Sequence, residues 1–239
     1  MFDELWPGGP KFLQSPEAFR LGTDSVLLAH FTNTARAKRI LDLGCGAGVL
    51  TVLLAEKAPH ALCAGIEIQP ESAVVCRENM SANGHDAQNI LTGDLREHRG
   101  LFPAGSFDLV VSNPPYFASG SGYTAPNAAR ATAREEGSCT MEDLCRAAGY
   151  LLRWGGLFSV VHRPERLSEL LCTATRFGME PKRLRLVQYQ AGSAPNLVLM
   201  EARRGGKPGL QIEPPLILCH QDGTDTEEIQ KIYHRGGAT

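Results

Sequence analysis

The chain has 239 residues, 43% of them hydrophobic and 21% charged, with a formal net charge of −2. That length suits one domain with at most a modest appendage. The charge excludes a uniformly basic protein that coats nucleic acid, and no run of about 18 apolar residues is present to span a bilayer. Residues 1–16 include Asp3, Glu4 and several Pro and Gly, and have neither the basic start nor the apolar middle of a secretory signal, so a cytoplasmic protein is expected. The seven cysteines are odd in number, contain no Cys-x-x-Cys pair and fall mostly in apolar stretches. Each therefore reads as a small reduced core residue, and neither a disulfide framework nor a bound metal is expected.

Along the chain, short apolar strands alternate with helical patterns. Strands are expected at 38–43, 61–66, 88–92, 107–112 and 157–162, and helices at 48–58, 70–83, 141–153 and 164–177. Leu144, Ala147, Ala148 and Leu151 repeat at helical spacing, as do Leu167, Leu170, Leu171 and Ala174. Such alternation predicts a parallel sheet covered by helices on both faces. Two last strands, near 183–190 and 196–202, are joined by a link too short for a crossover, so they must form an antiparallel hairpin. Residues 117–139 lack clear periodicity and read as a long loop. The chain divides into an N-terminal helical cap segment, 1–35, and a main domain, 36–239.

The first strand runs into Asp42-Leu43-Gly44-Cys45-Gly46-Ala47-Gly48, followed at once by an apolar helix. Glycines at alternate positions let the backbone turn tightly and approach a ligand at the carboxyl end of a strand. A dinucleotide fingerprint would place its last glycine where Val49 stands, and no Gly-Lys-Ser/Thr follows, so NAD and ATP are disfavoured. The second strand delivers Glu67, 25 residues after Asp42, where a carboxylate can accept from both hydroxyls of a ribose. The third delivers Asp94, which can accept from an adenine amino group.

Together these motifs resemble those of class I S-adenosylmethionine methyltransferases. The resemblance implies an α/β fold with a seven-stranded, mostly parallel sheet of order 3-2-1-4-5-7-6, strand seven antiparallel, and S-adenosyl-L-methionine as cofactor. The cofactor set it implies is Thr23, Asp42, Gly44, Cys45, Gly46, Gly48, Glu67, Ile68, Asp94, Leu95 and Asn113.

The fourth strand ends in Asn113-Pro114-Pro115-Tyr116. A planar amino nitrogen is a poor nucleophile because its lone pair is delocalised. Accepting its two hydrogens, one by the Asn113 side-chain oxygen and one by the Pro114 carbonyl, favours a pyramidal nitrogen whose lone pair points at the methyl group. Tyr116 can stack on a flat acceptor. The tetrapeptide resembles the acceptor motif of enzymes that methylate adenine N6, guanine N2 or glutamine amides, and does not separate them.

Three further stretches resemble the bacterial valine-tRNA adenine-37 N6-methyltransferase family: Phe19 to Ala29, Ala133-Arg134-Glu135-Glu136, and Pro181 to Arg185 with Pro214-Pro215-Leu216-Ile217. That resemblance implies tRNA as partner. The family usually carries a simpler Ala-Arg-His/Ser-Glu segment where this chain has Arg-Glu-Glu. Thr23, Asp24 and Ser25 also suit a helix N-cap. Phe117, Arg130 and Arg134, with Pro115 and Tyr116, are substrate candidates beside the acceptor motif. Between Lys182 and Lys207 six basic residues meet one acid, so this stretch is +5 and the remainder −7. Lys182, Arg183 and Arg185 are its candidate phosphate contacts. Two other readings stay open at this point: a protein glutamine methyltransferase, and a non-catalytic cofactor-binding scaffold.

Overall fold

The computed structural model describes residues 2–13, 22–115 and 139–235. It opens on an antiparallel hairpin, β1 (Phe2–Glu4) and β2 (Lys11–Leu13), so the segment before residue 36 holds more than a helix. Next come α1 (Thr23–Phe31), β3 (Arg39–Leu43), α2 (Val49–Lys57), β4 (Leu62–Glu67), α3 (Pro70–Ala82) and β5 (Ile90–Thr92). The short α4 (His98–Leu101) leads to β6 (Phe107–Ser112), α5 (Met141–Leu151), β7 (Leu152–His162) and α6 (Leu167–Arg176). The chain closes with β8 (Met179–Gln190), β9 (Pro195–Arg204), β10 (Gln211–Ile212), β11 (Leu216–Cys219) and α7 (Glu227–Ile232).

The main sheet is mixed and has nine strands among the described residues, which corrects the expected count of seven. Its path is β10-β8-β9-β7-β6-β3-β4-β5, and β11 also pairs with β8. The order expected for seven strands is contained in this path, with β9 antiparallel to both β7 and β8. The two additions, β10 and β11, lie parallel to β8. One is two residues long and the other follows Pro214-Pro215, so neither offered a period-two signal to read.

Alternation along the central strands divides the core between the two sheet faces. Ile40, Leu109, Val111 and Leu199 pack on one face with α1, α2 and α7, while Leu41, Val110, Phe158 and Ala202 pack on the other with α5 and α6. Helices α5 and α6 are amphipathic, as their spacing predicts, and α5 begins with a capping box in which Thr140 and Asp143 bond reciprocally. Helix α1 buries most of its circumference: Val26, Leu27, Leu28 and Phe31 all lie in the core, each contributing about 1.5–3 kcal/mol of transfer free energy. It is thereby fixed against the sheet beside the carboxyl ends of β6 and β7. Four of the cysteines, Cys45, Cys63, Cys76 and Cys145, are buried, whereas Cys172 is exposed on α6.

Candidate active site

The glycine loop turns sharply out of β3 because Gly44, Gly46 and Gly48 adopt φ of 74°, 53° and 85°. The amides of Gly44 and Cys45 donate to the Ile66 carbonyl of β4, at 2.9 and 3.1 Å. Gly48 is needed for a second reason. A Cβ there would stand 2.5 Å from Cys76 Sγ, so only glycine lets α3 close on the loop.

Asp42, at the end of β3, is buried. One carboxylate oxygen accepts from Thr51 Oγ1 at 2.8 Å, and the other, Oδ1, has no partner among the described residues. Burial pushes its carboxyl up to about 7; the Thr51 hydrogen bond opposes the rise and the Glu67 charge adds to it. Glu67, buried at the tip of β4, accepts from the amides of Gly46 at 2.9 Å and Gln69 at 2.8 Å. It therefore ties the glycine loop to the neighbouring strand. Ile68 beside it is 51% exposed at this edge, an unusual place for a large apolar side chain.

Asp94, just past the end of β5, is engaged within the chain. Its carboxylate caps the short turn at Leu95–Glu97 and takes three bonds from Arg96, at 2.8, 2.8 and 2.5 Å. The Arg96 hydrogen bond holds its carboxyl below the usual range. Thr23 is not the expected N-cap. Gly22 is the N-cap of α1, with no side-chain capping bond, and the Thr23 hydroxyl hydrogen-bonds Tyr233 after α7.

Parallel pairing places Asn113-Pro114 at the carboxyl end of β6, next to the glycine loop that leaves β3. Ser112 Oγ donates to the Leu43 carbonyl at 2.7 Å, locking the two strand ends together. Asn113 Nδ2 donates to Ser25 Oγ of α1 at 3.0 Å, which leaves Oδ1 as the accepting atom of that amide. Ser25 is a partner that the sequence did not single out as such. In a strand-end motif no local spacing points to a hydroxyl 88 residues away. His162 was missed too. Since Ser112 pairs with Val160, His162 stands level with Pro114. Burial, and then the Arg166 guanidinium, hold its imidazole below the usual value. Tyr116, Phe117, Arg130 and Arg134 lie outside the described residues.

The basic stretch does not act as a unit. Arg183 pairs with Glu213 at 2.7 Å and Glu201 at 3.4 Å and lies over the Phe31 ring, 4.3 Å from its centroid. Arg185 makes two bonds to Glu228, at 2.6 and 2.8 Å. The charges of Arg183 and Arg185 are thus met by acids within the chain, most of them outside the stretch. Lys182 donates to the Lys207 carbonyl at 3.1 Å.

The family model for the methyltransferase small domain matches residues 15–177. The chain belongs to the methyltransferase small domain family. It is 34% identical over 214 residues to a tRNA1(Val) (adenine(37)-N6)-methyltransferase of Tolumonas auensis, covering 89% of this chain and 87% of that protein. The protein of the same name from Aeromonas hydrophila is 31% identical over 90% of this chain and 89% of its own length. In fold, the chain is similar to a predicted O-methyltransferase from Agrobacterium tumefaciens, with a TM-score of 0.71, 23% identity and coverage of 91% and 98%. As a member of this family the protein is an S-adenosylmethionine-dependent methyltransferase. The residues present fit that cofactor: Asp42 keeps a buried carboxylate oxygen without a partner among the described residues, the kind of acceptor an ammonium-bearing ligand satisfies, and beyond Gly44 and Gly46 there is open space where a Cβ would project. No helix among the described residues is long and apolar enough to cross a membrane.

Proposed function

We propose that the protein transfers a methyl group to N6 of adenine 37, beside the anticodon of valine tRNA, in the cytoplasm. The observation that carries the reading is the Asn113 amide, oriented by Ser25 at the strand end beside the glycine loop. The names of the relatives, which cover most of the chain, favour adenine over the other planar amino acceptors. S-adenosyl-L-methionine supplies the electrophilic methyl group on its sulfonium.

The chain's own residues bind and orient. Asp42 would meet the ammonium of the cofactor, the loop of Gly44, Cys45, Gly46 and Gly48 would cradle its methionine part, and Glu67 would accept from the ribose. Ile68 and Leu95 would cover the adenine ring of the cofactor. Asp94 reaches that ring's amino group only by giving up part of its bonding to Arg96. At the acceptor, Asn113 Oδ1 and the Pro114 carbonyl take the two N6 hydrogens, and Pro115, Tyr116 and Phe117 flank the base. Arg130, Arg134 and Lys182 are phosphate contacts, whereas Arg183 and Arg185 are not, because their charges are already matched.

Mass spectrometry of nucleosides from total tRNA, prepared with and without the gene, tests the reaction. N6-methyladenosine should be lost with the gene and regained with the purified protein. An unchanged level would overturn the reading.

A further inference from the structure

At the amino edge of the sheet, away from the acceptor motif, β7 carries a wide bulge. Phe107 pairs with Leu152 and Leu109 with Leu157, so Asp108 alone stands opposite residues 153–156. Bulges of this kind re-aim a side chain. The bulge is held deliberately: Asp108 accepts from the amides of Lys38 and Arg39, both at 2.9 Å, and from Arg153 Nε. What it presents is Trp154, 75% exposed and the most exposed of the large hydrophobic side chains among the described residues. The indole is not loose. A Cβ on Gly205 would lie 2.2–2.6 Å from its six-membered ring, so the ring rests on bare glycine backbone.

Of the four cations of the basic stretch that meet no acid among the described residues, Arg204 donates to the Phe177 carbonyl and the other three gather at this corner. Arg203 pairs with Leu157 at the base of the bulge. Lys207 follows Gly205-Gly206, and Lys182 bonds to its carbonyl. Neither Arg203 nor Lys207 has an ion-pair partner among the described residues. Arg36 and Lys38 extend the same edge ahead of β3. The acids here are Asp108, already engaged, and Glu180, the register partner of Arg203.

We propose that Trp154, with Lys182, Arg203 and Lys207, forms a second RNA-binding surface that holds the tRNA at a distance from the methylated base. This rests on the tRNA reading above. An exposed, backed aromatic ring amid cations is the arrangement that stacks a base and neutralises phosphates. The six residues of β7 from Leu157 to His162 rise about 17 Å over their five steps, so the bulge lies on the order of 20 Å from the acceptor motif. A strand stacked at ~3.4 Å per nucleotide spans that in about six nucleotides.

The test is filter binding of unfractionated tRNA across a salt series. Trp154→Ala should weaken binding about 5- to 150-fold, the range for one lost stacked base, with S-adenosylmethionine affinity unchanged. Trp154→Phe should retain most of the affinity, which guards against a folding defect. Arg203→Glu with Lys207→Glu should lower the log–log salt slope by about one per phosphate contact removed. In Trp6→Phe, where Trp154 is the remaining tryptophan, tRNA should quench the fluorescence. Wild-type tRNA affinity and slope in Trp154→Ala and the charge-reversal pair, with no quench, would overturn the proposal. So would selective loss of polyglutamate binding with tRNA binding intact, which would assign the corner to an acidic protein. Binding of tRNA through Trp154 without N6 methylation would remove the reaction proposed above and keep this surface.

Discussion

The side-chain amide of Asn113, at the end of β6, donates to the hydroxyl of Ser25, in the first turn of α1, at 3.0 Å. Strand and helix are thereby coupled at the atom that decides which way the amide faces. Removing the hydroxyl lets the amide rotate and leaves its N–H without this acceptor. Ser25→Ala should lower turnover about tenfold with cofactor affinity unchanged, and Asn113→Ala should lower it on the order of 10²-fold or more. Steady-state kinetics and calorimetry separate the two quantities. Wild-type turnover in both variants would remove the amide from the mechanism.

Asp42 predicts a pH dependence. Burial raises its carboxyl from the ordinary 3.8 to about 7 in the folded chain. Below about 7 the carboxyl is protonated and loses its attraction for the cofactor ammonium, so affinity should fall as the pH drops through that value. The same shift acts on the unliganded fold with a definite sign. A raised carboxyl contributes stability that is complete below the unfolded value and is lost as the pH rises through 7. Asp42→Asn should therefore stabilise the unliganded protein above pH 7, by at most about 4 kcal/mol, while weakening cofactor binding. Because the loss runs from the unfolded value to about 7, urea denaturation at pH 4.5 and pH 8 checks the first effect and calorimetry the second.

Glu67 holds the loop as well as the ligand. Because its two oxygens accept from Gly46 and Gln69, Glu67→Ala should weaken cofactor binding by about 1.5–3 kcal/mol and also lower the melting temperature. Glu67→Gln keeps an acceptor for Gly46 and should lose less of both. Unchanged affinity in the alanine variant would take Glu67 out of the ribose site.

Arg183 stabilises a carboxylate that cannot reach water. Glu201 is only 4% exposed, and removing the guanidinium strands its charge. Arg183→Ala should cost roughly 3 kcal/mol, the lower end for breaking a buried pair, whereas Lys182→Ala should cost little. Chemical denaturation gives both numbers. An RNA-binding defect in an Arg183 variant would thus report on the fold, and Lys182, Arg203 and Lys207 are the informative positions.

Much of this molecule is written locally. Short apolar runs in Arg39–Leu43 and Phe107–Ser112 specify central strands buried on both faces of a sheet, and the 3.6-residue stripes of α5 and α6 specify what covers one of them. The glycines of residues 44–48 and the acids at 42 and 67 could be placed in advance, because each sits at the end of a strand whose period is legible. Partnership is different, since it depends on which elements become neighbours. Ser25 meets Asn113 only after α1 has buried Val26, Leu27 and Leu28 beside β6. Asp94 was legible as an acid at a strand tip, but its bonding to Arg96 was not, because a side chain two residues away competes with any ligand at a distance that pattern does not encode. The sign of the stretch 182–207 was legible as well. Its meaning was decided in three dimensions: Glu213 and Glu228, distant in sequence, neutralise Arg183 and Arg185, and the bulge opposite Asp108 brings Trp154 to the cations that remain. Periodicity fixes which way a side chain faces along its own element, and only packing between elements fixes what it touches.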